Sequence, residues 1–211
     1  MIFSDIAAVI LAGGKNSRLN YEKSLLQVEN DYFIQHQIKL LKKIFAEVIV
    51  VTEKEELRSL CQNVKFAADN FVDCGPVGGI EAAMAEYDFK DYFVFACDMP
   101  FLNTEIIRQM ISEHNNSEAD VTLPEHDEGI EPLHAIYKRN ALQYLQKNIR
   151  AGKYQVRKIF PYLEVNYLGF SKKQLRYFFN INTPKDLQKF SQMADSKRLS
   201  KRFSNSLVIG E

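Results

Sequence analysis

The sequence predicts an α/β fold with a mostly parallel central sheet and helices on both of its faces. Short apolar runs alternate with segments whose apolar residues recur every three or four positions, which is the pattern of strands and helices in turn. A hydrophobic content of 46% over 211 residues is enough for the core of one domain. The chain shows no internal repeat and no low-complexity linker.

Apolar runs predict the strands, and amphipathic segments predict the helices between them. The predicted strands cover residues 7–11, 48–52, 64–67, 92–97, 120–123 and 133–137. The predicted helices cover residues 32–45, 55–62, 78–87 and 104–115. From about residue 125 onward the pattern is less regular and predicts short mixed elements.

The strand–helix–strand order predicts right-handed crossovers, so that ligands would bind beyond the carboxyl ends of the strands. The segments after Leu11, Ala68 and Cys97 are then expected at one edge of the sheet. One domain is predicted for residues 1–190. The polar, serine-rich and locally basic stretch 191–211 predicts a loosely docked tail.

Charge and cysteine content exclude several classes of protein. The 27 basic and 27 acidic residues cancel, so no overall field would recruit nucleic acid or a membrane surface. The three cysteines, Cys61, Cys74 and Cys97, are odd in number and widely spaced, which argues against a disulfide framework and a zinc site. The apolar run near the N-terminus is too short for a signal or a membrane span. These features predict a cytoplasmic protein.

The segment after the first predicted strand combines Gly13 and Gly14 with two spaced cations, Arg18 and Lys23. Glycines let main-chain amides approach an anion closely, and lysine or arginine supplies charge to a phosphate. The segment matches neither the GxxxxGK[ST] nor the GxGxxG motif. From the residues alone, a phosphate loop and a simple glycine turn are equal alternatives.

Two further segments fit both a ligand-binding and a structural role. The stretch "DCGPVGGI" places Gly75, Pro76, Gly78 and Gly79 before a helix, which suits a phosphate or a base as well as an ordinary turn. Asp98 directly follows an apolar run. A carboxylate at the end of a central strand predicts either a Mg²⁺ ligand or a cap or ion pair.

Five motifs together resemble the molybdenum cofactor guanylyltransferases. They are "LAGGKNSRLNYEKSLL", "DCGPVGGI", "CDMPFL", "EPLHAIYKR" and "NINTP", in the order and spacing of that family, and they span roughly residues 5–190. The resemblance implies a Rossmann-like three-layer α/β/α sandwich of the nucleotide-diphospho-sugar transferase kind. Its nucleotide-binding part would cover about residues 1–124 and its cofactor side about residues 125–190.

The resemblance also implies a reaction, in which GMP is transferred from GTP to molybdenum-molybdopterin and pyrophosphate is released, with Mg²⁺ as cofactor. The implied GTP site comprises Leu11, Ala12, Gly13, Gly14, Lys23, Asp69, Gly75, Pro76, Gly78 and Asp98. Asp98 would hold the metal, and Asp98, Lys23 and Arg18 would stabilise charge during transfer. The implied cofactor side comprises Asn180, Asn182 and His134. Transient contact with molybdopterin-insertion proteins or target molybdoenzymes is implied as well, without nucleic acid or membrane partners.

Two of the motifs carry equally good structural interpretations. In "NINTPKD", Thr183, Pro184 and Asp186 predict a capped helix start. In "EPLHAIYKR", His134 taken by itself is more typical of a strand residue without a functional role.

The sequence departs from the family pattern at Asn16, Asn20, Glu22 and Thr52. These departures leave two alternatives open. One is a non-catalytic adaptor that binds nucleotide or cofactor, and the other is a cytidylyl- or sugar-nucleotide transferase on the same scaffold. Lys23 and Asp98 are retained, which favours an enzyme. The motifs "EPLHAIY" and "NINTP" favour the guanylyl branch.

Overall fold

The computed structural model describes residues 2–13, 27–28 and 31–195. Its strands are β1 (Ile6–Leu11), β2 (Gln27–Val28), β3 (Asp31–Tyr32), β4 (Val48–Val51), β5 (Lys65–Ala67), β6 (Asp91–Ala96), β7 (Val121–His126), β8 (Gly129–Ile130), β9 (His134–Lys138) and β10 (Val165–Gly169). Its α-helices are α1 (Phe33–Leu41), α2 (Glu55–Leu60), α3 (Pro76–Glu86), α4 (Thr104–Asn115), α5 (Leu142–Arg150) and α6 (Pro184–Asp195). Short 3-10 helices lie at Arg139–Ala141, Val156–Tyr162 and Leu175–Phe178. Within these residues, no helix combines the length and the apolar character needed to cross a lipid bilayer.

One mixed sheet of eight described strands forms the centre of the fold. Its order is β10-β7-β9-β6-β1-β4-β5, with β8 paired to β7. β1 runs parallel to β4 and β6, whereas β9 runs antiparallel to both β6 and β7. Helices pack on both faces, α1 and α4 on one and α3 and α5 on the other. The predicted α/β sandwich with a mostly parallel sheet is therefore confirmed.

Each predicted strand and helix is present, with ends displaced by a few residues. The central strands were predictable because they are buried on both faces. In β1, Ala8 and Ile10 pack toward α1 and α4, whereas Ala7 and Val9 pack toward α3 and α5. Every residue from Ile6 to Ile10 is 0% exposed. Such strands form continuous apolar runs instead of alternating ones.

α5 and β10 are among the elements of the second half that were not predicted. α5 buries a narrow stripe that includes Leu145 and Ile149 within an otherwise polar segment. β10 lies at the edge of the sheet and is only partly buried. The apolar residues of α5, Leu142, Leu145 and Ile149, recur at helical spacing, so its pattern was present in the sequence but was overlooked. β10 shows no clear alternation of buried and exposed residues.

The folded part of the chain extends beyond the predicted boundary at residue 190. α6 continues to Asp195, and Phe190 is 2% exposed in a small cluster with Ile181. The start of the predicted tail is therefore helical. Residues 196–211 lie outside the described residues.

Glycines allow the start of α3 to approach the sheet closely. Gly75, which precedes the helix, has φ +60°, a conformation that favours glycine. A Cβ on Gly78 would lie 3.1 Å from Cys74 Cβ, and a Cβ on Gly79 would lie 3.0 Å from Leu11 Cδ2. The first turn of α3 is thus held against the end of β1.

We expect Gly78→Ala to lower the free energy of unfolding by about 1–3 kcal/mol, because the new methyl group would be crowded against a Cβ that the main chain holds in place. Gly169→Ala is the control, since a Cβ at Gly169 has no heavy atom within 4 Å. Urea unfolding followed by circular dichroism measures both variants. Equal stability of the two would show that the close packing at Gly78 is not what holds α3.

Candidate active site

The end of β1 lies between the ends of β4 and β6. Leu11 O accepts a hydrogen bond from Cys97 N at 3.3 Å, and Ala12 N donates to Val51 O at 3.0 Å. Ala12 is buried, whereas Gly13 is exposed. The structure therefore places Leu11, Ala12 and Gly13 at the carboxyl edge of the sheet.

The rest of the first predicted loop lies outside the described residues. It contains Gly14, the cations Arg18 and Lys23, and the departures Asn16, Asn20 and Glu22. Their roles stay predictions. The fourth departure, Thr52, is 1% exposed, and its Oγ1 accepts a hydrogen bond from Lys54 N at 3.1 Å. Its side chain is therefore committed to the turn after β4.

The turn after β6 carries Asp98 and is fixed by hydrogen bonds from two other segments. Gln37 Nε2, on α1, donates to Ala96 O and to Met99 O at 3.1 Å each. Ile181 N donates to Asp98 O at 2.9 Å. Asp98 is only partly buried. The main chain of this turn is therefore held in place, and the residue keeps part of its surface exposed. Sequence reasoning missed Gln37, because a single glutamine in a helix carries no signal of its partners.

Asp69 follows β5 and offers a hydrogen-bond acceptor that no described residue satisfies. Its Oδ1 is buried and has no hydrogen-bond partner among the described residues. Burial raises the pKa of Asp69, and the negative charges of Glu53 and Glu81 raise it further. Glu81 is held by Asn70 Nδ2 at 3.1 Å and by Gln146 Nε2 at 2.8 Å. An unpaired buried acceptor is suited to an N–H donor of a ligand.

The start of α3 lies beside Asp69. A Cβ on Gly78 would lie 3.9 Å from Asp69 Cγ, and a Cβ on Gly79 would lie 3.6 Å from Asp69 Oδ1. Gly75 and Pro76 are exposed, whereas Gly78 is buried. The structure thus brings the predicted nucleotide residues of two separate segments together at the positive end of a helix dipole.

The segment "NINTP" lies against the Asp98 turn through the bond from its isoleucine. Asn180 Nδ2 donates to a main-chain carbonyl two residues back at 3.0 Å, and Asn182 N donates to Asp186 Oδ2 at 3.1 Å. Thr183 N donates to Asp186 Oδ2 at 2.9 Å, and Asp186 N donates to Thr183 Oγ1 at 3.2 Å. The predicted capped start of α6 is therefore present. Asn180 and Asn182 each lie one residue from the contact with the Asp98 turn.

His134 is not at a cofactor-binding surface. It is 1% exposed, and the rings of Phe93, Phe95 and Phe178 enclose it at centroid distances of 5.4, 5.2 and 5.3 Å. Burial lowers the pKa of His134 to about 3, so the ring is neutral. Among the described residues, neither ring nitrogen has a hydrogen-bond partner. The predicted cofactor contact is corrected accordingly, because His134 packs in an aromatic part of the core.

A second carboxylate, Glu131, shares the environment of Asp98. Glu128 N donates to His126 Nδ1 at 3.2 Å, so the proton of the neutral ring sits on Nε2. That Nε2 lies 3.2 Å from Glu131 Oε1 and can donate to it. Burial raises the pKa of Glu131, the hydrogen bond from His126 lowers it, and the charge of Asp98 raises it. The pair joins His126, the last residue of β7, to Glu131, which follows β8, and it was not predicted.

The donors at this edge fit magnesium better than a transition metal. Within the described ranges, no group of three or more His, Cys, Asp or Glu side chains could hold a metal alone. Mg²⁺ typically takes one or two carboxylates and completes its shell with phosphate oxygens and water. Asp98 fits such a site, because its turn is fixed and the residue is only partly buried.

We expect His134→Leu to remove part of the pH dependence of stability between about pH 6.5 and about pH 3. The pKa of the ring is about 3 in the folded protein against a usual 6.5, so unfolding in this window takes up a proton. The stability of the natural protein therefore falls as the pH drops, by up to about 1.4 kcal/mol per pH unit from this residue. Leucine takes up no proton. Urea unfolding of both proteins across the pH window measures the difference, and a difference that stays constant with pH would contradict the buried position.

Comparison with known proteins finds both the motifs and the fold in one family. The family model "MobA-like NTP transferase domain" matches residues 8–165. A probable molybdenum cofactor guanylyltransferase of Pelotomaculum thermopropionicum is 36% identical over 197 residues, which cover 90% of this chain and 94% of that protein. A molybdenum cofactor guanylyltransferase of Syntrophotalea carbinolica is 33% identical over 192 residues, which cover 87% of this chain and 90% of that protein.

A solved structure shows the same fold. The molybdopterin-guanine dinucleotide biosynthesis protein A of Archaeoglobus fulgidus has a TM-score of 0.79 to this protein at 27% identity, over 90% of this chain and 100% of that chain. The matched residues 8–165 include the end of β1, the start of α3 and the Asp98 turn. The resemblance carried by the five motifs is thereby confirmed. The chain belongs to the MobA-like NTP transferase domain family and is a nucleotidyltransferase.

Proposed function

We propose that this protein transfers GMP from GTP to the terminal phosphate of molybdenum-molybdopterin, giving molybdopterin guanine dinucleotide cofactor and pyrophosphate. The observation that carries the proposal is the turn of Asp98. It is bonded on one side to the end of β1 and on the other to Ile181. The first segment belongs to the implied nucleotide side and the second to the implied acceptor side. The names of the relatives support the choice of substrates.

The proposed reaction is an in-line displacement at the α-phosphorus of GTP. A terminal phosphate oxygen of the acceptor forms the new P–O bond. The bond from the α-phosphorus to the bridging oxygen breaks, and pyrophosphate leaves with the electron pair. The attacking phosphate is ionised near neutral pH, so no general base is required. The protein has to align the two substrates and stabilise the charge.

Charge stabilisation is assigned to one carboxylate and two cations. Mg²⁺, when bound, neutralises charge on the phosphate oxygens. Asp98 would hold it, and the negative charge of Glu131 nearby would favour a cation at this place. Lys23 and Arg18 would stabilise the leaving pyrophosphate, as the resemblance implies. The amides around Gly13 and the following glycine would approach the phosphates closely.

Asp69 and the start of α3 are assigned to binding the guanine base of GTP. Guanine presents two adjacent N–H donors, at N1 and at its amino group. The buried Oδ1 of Asp69, which has no partner among the described residues, is an acceptor that such a donor would satisfy. The start of α3 would allow the base or the phosphates of GTP to approach closely, because it contains Gly75, Pro76 and Gly78.

The acceptor would lie on the other side of the Asp98 turn. Asn180 and Asn182 would contact the pterin part of molybdenum-molybdopterin with their side chains, whereas His134 has no contact in this proposal. The product would pass to molybdopterin-insertion proteins or to target molybdoenzymes through transient contacts. We place the reaction in the cytoplasm, where the free cysteines of this chain would stay reduced.

We expect GTP to support pyrophosphate release more than tenfold better than CTP or ATP. An unpaired polar edge in the base site costs about 1–3 kcal/mol, and 1.4 kcal/mol corresponds to about a factor of ten. The assay contains purified protein, Mg²⁺, molybdenum-molybdopterin and one nucleoside triphosphate at a time. Equal rates with CTP would contradict guanine selection. Nucleotide binding without release from any triphosphate would favour the adaptor alternative.

We expect Asp98→Asn to lower turnover about 100-fold or more, because the amide keeps the shape of the carboxylate but loses the charge that holds the metal. The matched control is Asp127→Asn on the β7–β8 hairpin, where the exposed carboxylate lies 3.6 Å from Lys172 Nζ. Asp127→Asn should keep full turnover. A variant Asp98→Asn that melts early but keeps its activity per folded molecule would make Asp98 a structural residue and contradict the metal assignment.

A further inference from the structure

Gln37 is a buried polar residue on an otherwise apolar face of α1. The buried residues of this helix are Phe33, Ile34, Gln37, Ile38 and Leu41. Gln37 is 4% exposed. Burying an amide costs free energy unless its polar atoms are hydrogen-bonded, and an apolar side chain of similar size would serve the core better. The role of the amide therefore depends on which groups it bonds.

The two N–H groups of Gln37 hold both ends of the turn that carries Asp98. Nε2 lies 3.1 Å from Ala96 O and 3.1 Å from Met99 O. Both partners are carbonyl oxygens, which only accept, so the nitrogen and not the oxygen of the amide must face them. Oε1 of Gln37 has no hydrogen-bond partner among the described residues. The side chain of Gln37 thus satisfies two carbonyl groups of the turn, whereas its own oxygen has no hydrogen-bond partner among the described residues.

We propose that Gln37 is a positioning residue that sets the direction of the Asp98 carboxylate for metal binding. The inference rests on the proposed function, in which Asp98 holds the metal. β6 ends at Ala96, and beyond it the neighbouring strand β1 supports the turn through the bond from Cys97 N to Leu11 O. With the carbonyls on both sides of Asp98 held by one amide, the main-chain angles of the turn are restricted. The Cα–Cβ bond of Asp98 is thereby held in one direction, which limits where its carboxylate can lie. Groups that orient a metal ligand typically change metal affinity by 10–100-fold when they are removed.

A purely structural role for Gln37 makes a different prediction. In that case the amide would only satisfy two buried carbonyls, and its loss would lower stability without changing the metal site of the folded protein. Gln35 provides the matched comparison on the same helix. Its side chain accepts from Tyr32 N at 2.9 Å and donates to Leu60 O at 2.8 Å, and these partners lie away from the Asp98 turn.

The experiment compares Gln37→Met with Gln35→Met, each made in the natural protein and in the Asp98→Asn variant. Methionine keeps the length of glutamine and removes its N–H donors. The dissociation constant of Mn²⁺ is measured by electron paramagnetic resonance in the presence of saturating GTP, and stability is measured by urea unfolding. We expect Gln37→Met to raise the Mn²⁺ dissociation constant about tenfold in the natural protein and to have no effect in the Asp98→Asn background. Gln35→Met should lower stability and leave the Mn²⁺ dissociation constant unchanged.

Two results would overturn the inference, and they differ in whether the metal assignment of Asp98 is contradicted as well. If Gln37→Met lowers stability but leaves Mn²⁺ binding unchanged, while Asp98→Asn weakens it, the positioning role falls and the proposed function stands. If Asp98→Asn itself leaves Mn²⁺ binding unchanged, the metal assignment falls together with the inference. If Gln37→Met does not fold, Gln37→Asn replaces it, since its shorter amide cannot reach both carbonyls, and the same outcomes decide.

Discussion

The parallel pairing of β1 with β6 is the constraint on which the rest of the structure depends. The register runs without interruption from Ile6 opposite Asp91 to Leu11 opposite Ala96. Alternate side chains of both strands pack into the core on opposite faces of the sheet. A slip of one strand by one residue would therefore turn each of its side chains toward the wrong core. With the register fixed, both strands end at the same level, and the bond from Cys97 N to Leu11 O joins the end of β1 to the Asp98 turn.

The antiparallel β9 brings a further segment of the chain to the carboxyl edge of the sheet. Because β9 runs against β6, it begins at the edge where β6 ends, and the main chain of Ala96 bonds Leu133 O at 3.0 Å. This brings Glu131 and its partner His126 into the electrostatic environment of Asp98. The parallel strands β1, β4 and β6 thus support the proposed nucleotide side. The antiparallel β9 and the segment before α6 support the side proposed for the acceptor.

The sequence predicted the elements whose signal is local. Buried strands form continuous apolar runs, so β1 and β6 and the position of Asp98 at a strand end followed from the chain itself. Gln37 could not be found in this way, because the carbonyls that it holds are far away in sequence. The contact assigned to His134 was incorrect for a related reason. A family motif gives the residue types of a segment but not which side chains face an aromatic core.

Anomalous diffraction from crystals grown with Mn²⁺ and GTP tests the central claim most directly, because it locates the metal without an assumption about the reaction. The account predicts a Mn²⁺ peak bonded to the carboxylate of Asp98 and to phosphate oxygens of GTP, with the triphosphate beside the end of β1. The peak should disappear in crystals of Asp98→Asn. A fully occupied Mn²⁺ site elsewhere, with GTP bound and the Asp98 carboxylate free of metal, would contradict the account.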